Sequence, residues 1–383
     1  MKSNLSTICD YRKGKVDVAT LTHLSYISTE NMLPNKGGIT SAASLPTISQ
    51  TQEYRKGDVL VSNIRPYFKK IWKAKTDGGC SNDVLVFAAK DGTDPDFLYY
   101  VLADDSFFEY SMATSKGTKM PRGDKTSIMR YQVPAIDIST QRRIASILRS
   151  LDDKIELNTA INNNLTEQAR SIYQSWFIDY EPFGRTMPLD WIPSSLGGVA
   201  TMKTDSWSPS KNPETIVEHY SIPAYDEKHY PVFEIASGIK SNKYILTPDS
   251  VMISKLNPDT KRIWRPMCLS AHPICSTEFI VYEAKKAAQK DFVYSILDSA
   301  PFLNFLCSHT TGSTNSRQRA TPKATLDFPI MLPPDSIIEE FCQIVSPMYD
   351  LISKNIIENQ SLAKARDIML PKLMNGELDV SDL

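Results

Sequence analysis

Two stretches of this chain repeat one another, and both have the period of a long helix. Residues 141–176 read QRRIASILRSLDDKIELNTAINNNLTEQARSIYQSW, and residues 338–373 read IEEFCQIVSPMYDLISKNIIENQSLAKARDIMLPKL. In the first, Ile144, Leu148, Leu151, Ile155, Asn158, Asn162, Leu165, Ala169, Ile172 and Trp176 recur at alternating steps of four and three. Adding 197 to each number gives Phe341, Val345, Met348, Ile352, Asn355, Asn359, Leu362, Arg366, Met369 and Leu373. A seven-residue repeat sustained this long marks a coiled-coil seam, and two matching copies mark an internal duplication.

A single amphipathic helix cannot bury its own seam, but two copies in one chain can bury each other. Antiparallel pairing with residue numbers summing to 517 sets Ile144 opposite Leu373, Leu165 opposite Ile352 and Trp176 opposite Phe341. The same sum sets Asn158 opposite Asn359 and Asn162 opposite Asn355 at the centre. Buried Asn in a seam lowers stability and fixes register, because a slip leaves an amide unpaired. These four Asn are the expected register marks. The seam is about 48 Å long at ~1.5 Å per residue, against about 34 Å for one turn of B-DNA.

The segments between the helices repeat as well. Val59-Leu60-Val61-Ser62 matches Val251-Met252-Ile253-Ser254, and Lys69-Lys70-Ile71-Trp72 matches Lys261-Arg262-Ile263-Trp264, both at an offset of 192. The offset is 195 at Cys80 against Cys275 and Phe97 against Phe292, and the same spacing sets Gly117 and Arg122 against Gly312 and Arg317. Each copy reads as strands, then a helix beginning at Asp94-Pro95 in the first copy, then a basic loop. The expected organisation is a first α/β domain over 1–138, a helix over 139–181, a second domain over 182–334, and a distal helix and tail over 335–383. The fold class is α+β, with the two helices paired as an antiparallel coiled coil. Ser139 or Thr140 is the expected cap of the first helix, and Pro347 is expected to disturb the start of the second.

Net charge is −1, which by itself argues against a polyanion-binding chain. Its distribution argues otherwise. Residues 1–138 hold 18 basic and 15 acidic side chains, and residues 182–334 hold 16 and 14; residues 335–383 hold 4 and 9. The globular segments are therefore the parts suited to a polyanion and the helices the parts suited to protein partners. In the strand-turn segments the candidate DNA contacts are Arg65, Lys69 and Lys70, then Lys255, Lys261 and Arg262. In the loops after the globular helices they are Lys116, Lys119, Arg122 and Lys125, then Arg317, Arg319 and Lys323. Lys and Arg there, among Ser and Thr hydroxyls, suit phosphates and base edges. Six scattered Cys form no zinc pattern or disulfide framework, and no apolar run suits a signal peptide or a membrane span, so a cytoplasmic chain is expected.

Two diverged globular domains, each followed by a near-copy of one long helix, resemble the specificity subunit of type I restriction-modification systems. The stretches that carry the resemblance are QRRIASILRSLDDKIELN (141–158), SIYQSWFIDYEPF (171–183) and LPKLMNGELDV (370–380). The resemblance implies two target recognition domains, each reading half of a bipartite site in double-stranded DNA, and helices that set the spacing and dock methyltransferase subunits, two per chain. It also implies that restriction-translocase subunits join through that core. The chain itself would bind no cofactor; S-adenosylmethionine would belong to the methyltransferase partners.

Absences support a non-catalytic role: the sequence has no GxxxxGK[ST] loop, no N/D-P-P-Y/F motif and no HExxH. Two other readings stay open at this point. One is a metal-dependent nuclease using Asp249, Glu283 and Lys285, although Glu283 corresponds to Ala88 in the first copy. The other is a coiled-coil scaffold without DNA binding.

Overall fold

The structure, a computed structural model, describes residues 2–311 and 318–380. It divides into two compact units, Met1–Ile155 with Gln360–Leu383, and Glu156–Asn359. Each long helix, Ile138–Phe177 and Asp335–Met374, contributes residues to both units. No helix among the described residues is long and apolar enough to cross a membrane.

In the first unit, Cys9–Tyr11, Val84–Ala89, Val59–Ser62 and Ile71–Lys73 lie in that order in an antiparallel sheet. In the second, Ala200–Lys203, Phe279–Ala284, Ser250–Ser254 and Ile263–Trp264 repeat that order. Beside this sheet each unit has another. In the first unit it holds Lys15–Asp17, Gln50–Tyr54, Gly78–Cys80 and Tyr26–Ile27; in the second it gains a fifth strand, Val232–Ile235, at one edge. The central strands VLVS and VMIS are buried throughout. Their run of β-branched and aliphatic residues suits a strand covered on both faces.

The helical stretch after Asp94 is two helices, Pro95–Ala103 and Asp105–Ala113. Asp94 caps the first, its carboxylate accepting from the Asp96 and Phe97 amides. At Asp104 the backbone turns extended, and its carboxylate caps the second helix. Asp104 thus ends one helix and opens the next, because a short carboxylate satisfies freed amides better than another helical turn would.

The first long helix is capped by Asp137, one residue before its first helical position, and not by Ser139 or Thr140. The Asp137 carboxylate accepts from the Ser139 and Thr140 amides at 2.9 and 3.1 Å and from the Thr140 hydroxyl at 2.7 Å. These bonds, Thr140's first, hold its carboxyl well below the usual carboxylate range. The second long helix begins twelve residues before Pro347 and runs unbroken through it to Met374. Packing on both sides of Pro347 outweighs the one helical hydrogen bond it removes.

Within each unit the helices pair antiparallel. In the first unit Ile144, Leu148, Leu370 and Leu373 share one core with Phe97, Val101 and Phe107, and Arg366 reaches Asp152 at 2.6 Å. Arg366 stands in a seam slot, and Asp152 also accepts the Tyr100 hydroxyl, so the charge there is paired as it is covered. In the second unit Phe341 packs against Trp176 and Phe177, with ring centroids 6.0 and 4.9 Å apart. Also in the second unit, the Asn158 amide donates to Asn359 Oδ1 at 2.9 Å and to Glu358 at 2.6 Å, and the Asn355 amide donates to Asn162 Oδ1 at 2.8 Å.

Asn158 is 1% exposed, so its amide must be satisfied from within the pair. Asn158→Leu alone leaves Asn359 facing a hydrocarbon and lowers stability by about 1–3 kcal/mol. Asn158→Leu with Asn359→Leu recovers most of that loss, because both polar partners leave together. A double-mutant cycle on thermal unfolding checks this; additive losses would show that the two amides are not coupled.

A duplicated ion network ties each sheet to a long helix. Lys73 pairs with Asp96, which Arg149 reaches at 2.8 Å, and Arg149 also meets Asp153. In the second unit Arg265 pairs with Asp291 at 2.7 Å and Asp350 at 2.8 Å. Lys73 and Arg265 are equivalent at an offset of 192, and Asp153 and Asp350 at 197. These basic residues are structural, which charge counting along the sequence does not distinguish.

Candidate nucleic-acid interface

In each unit the turn after the central strand meets the loop after the globular helices, and the same backbone bonds join them. The Ser62 hydroxyl donates to the Ile64 carbonyl at 3.1 Å, as Ser254 does to Leu256 at 3.0 Å. The next residue is left-handed in both: Arg65 has φ 51° and Asn257 has φ 47°. Each precedes a proline, and each carbonyl accepts the amide three residues on, from Phe68 and Thr260, at 3.0 Å. The Arg65 amide then donates to Pro121 O at 2.8 Å and the Asn257 amide to Gln318 O at 2.9 Å. A second bond runs back, from Gly123 to Asn63 O at 3.2 Å and from Ala320 to Lys255 O at 2.9 Å. A Cβ on Gly123 would come within 2.8 Å of Asn63 Oδ1 and Ser111 Oγ, so this close approach needs glycine in the first unit.

These bonds correct one equivalence. Arg122 pairs across a β-bridge with Ile64, and Arg319 with Leu256. Each Arg also reaches the carboxylate that follows the equivalent strand turn, Asp83 at 3.1 Å and Glu278 at 3.0 Å. The counterpart of Arg122 is therefore Arg319, at an offset of 197, and not Arg317. The second loop is two residues longer than the first between its paired ends, Lys116–Arg122 against Thr311–Arg319. Arg317 itself lies outside the described residues.

The candidate cations differ in how freely they present charge. In the first unit Lys119 and Lys125 are exposed. Lys116 is exposed and pairs with Asp124 at 2.5 Å. That contact, with the Ser127 amide, holds the Asp124 carboxyl well below the usual range. Arg122 is 56% exposed beside Asp83. Lys69 meets Asp105 at 2.8 Å. Lys70 donates to Thr29 O at 2.6 Å and lies over the Phe68 ring, and burial lowers its pKa. In the second unit Lys255 is half-buried and Lys323 exposed. Arg319 is 46% exposed beside Glu278.

Lys261 and Arg262, on the same turn, are both engaged by carboxylates. The Lys261 ammonium bonds the carboxylate and the carbonyl of Asp298, and Arg262 forms a two-point pair with Asp226 at 2.7 and 3.0 Å. The Asp298 carboxylate is covered, whereas Asp226 is 46% exposed. An exposed pair such as Arg122–Asp83 is worth at most about 1 kcal/mol and exchanges readily for a phosphate; a covered one does not.

Two features of this face went unread in the sequence. Tyr67 and Phe68 stand exposed at the tip of the first turn, their rings 4.6 Å apart. Asn257 was absent from the basic candidates, although the offset of 192 and the following proline align it with Arg65.

The nuclease residues are not assembled as a metal site. Glu283 accepts the Thr247 hydroxyl at 2.6 Å and meets Lys203 at 3.1 Å. Burial raises its pKa, and these contacts outweigh burial and lower it. Among the described residues no group of three His, Cys, Asp or Glu is placed to hold a metal ion.

Comparison with known proteins adds a family. A model of the type I restriction modification DNA specificity domain matches residues 2–167. The type I restriction enzyme MjaIX specificity subunit of Methanocaldococcus jannaschii is 26% identical over 77% of this chain and 71% of its own length. The HindI specificity subunit of Haemophilus influenzae is 23% identical over 95% of this chain and 96% of its own. The crystal structure of a type I restriction-modification S subunit from M. genitalium covers 100% of this chain and 96% of its own, with a TM-score of 0.60 at 16% identity, a likeness of fold.

Proposed function

We propose that this chain, which matches a model of the type I restriction modification DNA specificity domain over residues 2–167 and is similar to two type I specificity subunits along most of its length, is the non-catalytic, DNA-reading subunit of a type I restriction-modification complex. The domain over 1–138 reads one half of a bipartite duplex site and the domain over 182–334 reads the other. The helical segments over 139–181 and 335–383 set the spacing between the halves and dock the methyltransferase subunits, two to each chain. Restriction-translocase subunits join through that core. S-adenosylmethionine is bound by the methyltransferase partners, and the complex works in the cytoplasm.

One observation carries this reading: the same two-loop junction is built twice, from the same backbone bonds, with an exposed arginine at the same place in each. A duplicated scaffold with different side chains is what two half-site readers require. Phosphates fix the position of such a loop pair, and base edges supply the choice. The Asn pairs at Asn158–Asn359 and Asn162–Asn355 would then hold the register that fixes the spacing.

Methylation mapping of genomic DNA, from cells with and without this gene, tests the function. The expected result is a split motif, methylated only when the gene is present. Methylation that is unchanged by deletion, in cells that keep the methyltransferase partner, would overturn the reading.

A further inference from the structure

Arg65 and Asn257 occupy one structural position in the two units. Both follow the central buried strand and precede a proline, both have positive φ, and both donate their amide to the partner loop. Left-handed backbone costs a branched or long side chain something in conformational energy, and glycine would adopt it freely. The long, charged Arg65 at such a position points to a use for its side chain; Asn adopts the left-handed region more readily, and Asn257 matches Arg65 by its place in the fold rather than by strain.

The side chains carry the second observation. Arg65 Nε is buried and makes no hydrogen bond, and neither does the buried Asn257 Oδ1. Most buried polar atoms have partners, and an orphan is costly unless something satisfies it. Here the orphans fall at the same point of both copies, in side chains that are each only part-buried, so that turning the side chain outward from the junction exchanges a buried, unpaired atom for a base edge. Their neighbours Arg122 and Arg319 are engaged by Asp83 and Glu278, whereas no carboxylate meets the Arg65 guanidinium among the described residues.

We propose that Arg65 and Asn257 are the equivalent base-reading residues of the two units, Arg65 selecting guanine in one half-site and Asn257 selecting adenine in the other. The inference rests on the DNA-reading function proposed above. Its chemistry is that of the major groove. The arginine fork donates to guanine O6 and N7, and a side-chain amide donates to adenine N7 while accepting from N6. The turn and the docked loop hold both residues by backbone bonds, so different side chains can be presented from one scaffold. Arg122 and Arg319, already neutralised by carboxylates, serve phosphates.

The test uses the chain assembled with its methyltransferase subunits and a randomised library of duplexes, read by selective methylation. Arg65→Gly and Asn257→Gly keep the left-handed turn and remove only the side chain. Each is expected to release one position in one half-site, losing about 10- to 100-fold discrimination there while the other half stays unchanged. Arg65→Asn is expected to turn the chosen guanine into adenine, and Asn257→Arg the reverse. Arg65→Lys keeps the charge but loses the fork, and is expected to discriminate less than the parent. Uniform weakening across all sequences would make these residues phosphate contacts and overturn the proposal. So would release of a position that the parent complex does not fill with guanine or adenine. A parent complex with no split preference would instead overturn the proposed function itself.

Discussion

Asp298→Asn is expected to lower the melting temperature of this chain more than any single substitution among the exposed loop cations. Asp298 ends the helix Lys290–Asp298, and its carboxylate is only 4% exposed. Arg170 on the long helix donates to both its oxygens, at 2.6 and 3.2 Å, and Lys261 from the strand turn bonds the same carboxylate. Removing the charge strands two cations at once. Breaking a covered pair from one side costs about 3–5 kcal/mol, less here because Arg170 remains partly wetted, so about 3 kcal/mol is expected. For a unit of this size that is roughly 6–12 °C. Lys261→Ala should cost less, since Arg170 keeps both bonds. The comparison separates a structural cation from a DNA contact: below their melting transitions, Asp298→Asn and Lys261→Ala should leave the salt dependence of DNA binding unchanged. A changed salt dependence, with intact fold, would place Lys261 on the DNA face.

The Lys261–Asp298 pairing shows where sequence reading runs out. The antiparallel helix pair is legible because a seven-residue repeat occurs twice at one offset, and a seam of apolar residues has to be covered. The equivalence of VLVS and VMIS is legible for the same reason, since both are fully buried strands with little freedom to diverge. The Lys261 ion pair is not legible because its partner lies 37 residues away on another element, and a count of positive charge cannot reveal a carboxylate brought to it by folding. Arg122 was matched to Arg317 because a similar Gly and Arg recur at an offset of 195, whereas the backbone bonds require 197. Loop insertions carry no periodicity, so only the bridges to Ile64 and Leu256 settle the alignment. Asp104 and Asp137 were read past because a continuous apolar pattern hides a cap that works through side-chain geometry. Of the site, the basic loops could be named and their junction could not, because nothing local in the sequence says that residue 65 will meet residue 121.

The second large effect is expected on DNA binding. Replacing Lys116, Lys119, Arg122 and Lys125 together by Ala should make affinity for duplex DNA much less sensitive to salt. Each phosphate contact contributes about 0.9 to the slope of log affinity against log salt, so four contacts remove about 3.6. Lys255, Arg319 and Lys323 should behave alike in the second unit. Sequence choice should survive in both variants, since phosphate contacts position the loops without naming bases. The carboxylates make the argument sharper. Arg122→Ala leaves Asp83 facing the phosphates, so its loss includes a repulsion as well as a missing attraction. Asp83→Asn and Glu278→Gln free the two arginines from their 3.1 and 3.0 Å partners, and should raise affinity while steepening the salt slope. Titrations of the assembled complex at several salt concentrations measure all of these. If the quadruple variant keeps the parent slope, the loops do not meet the backbone and the junction is not the DNA face. If Asp83→Asn weakens binding in a folded complex, the carboxylate is positioning Arg122 for its contact rather than competing with it. That outcome would reverse the sign assigned to the pair while leaving the arginine on the interface.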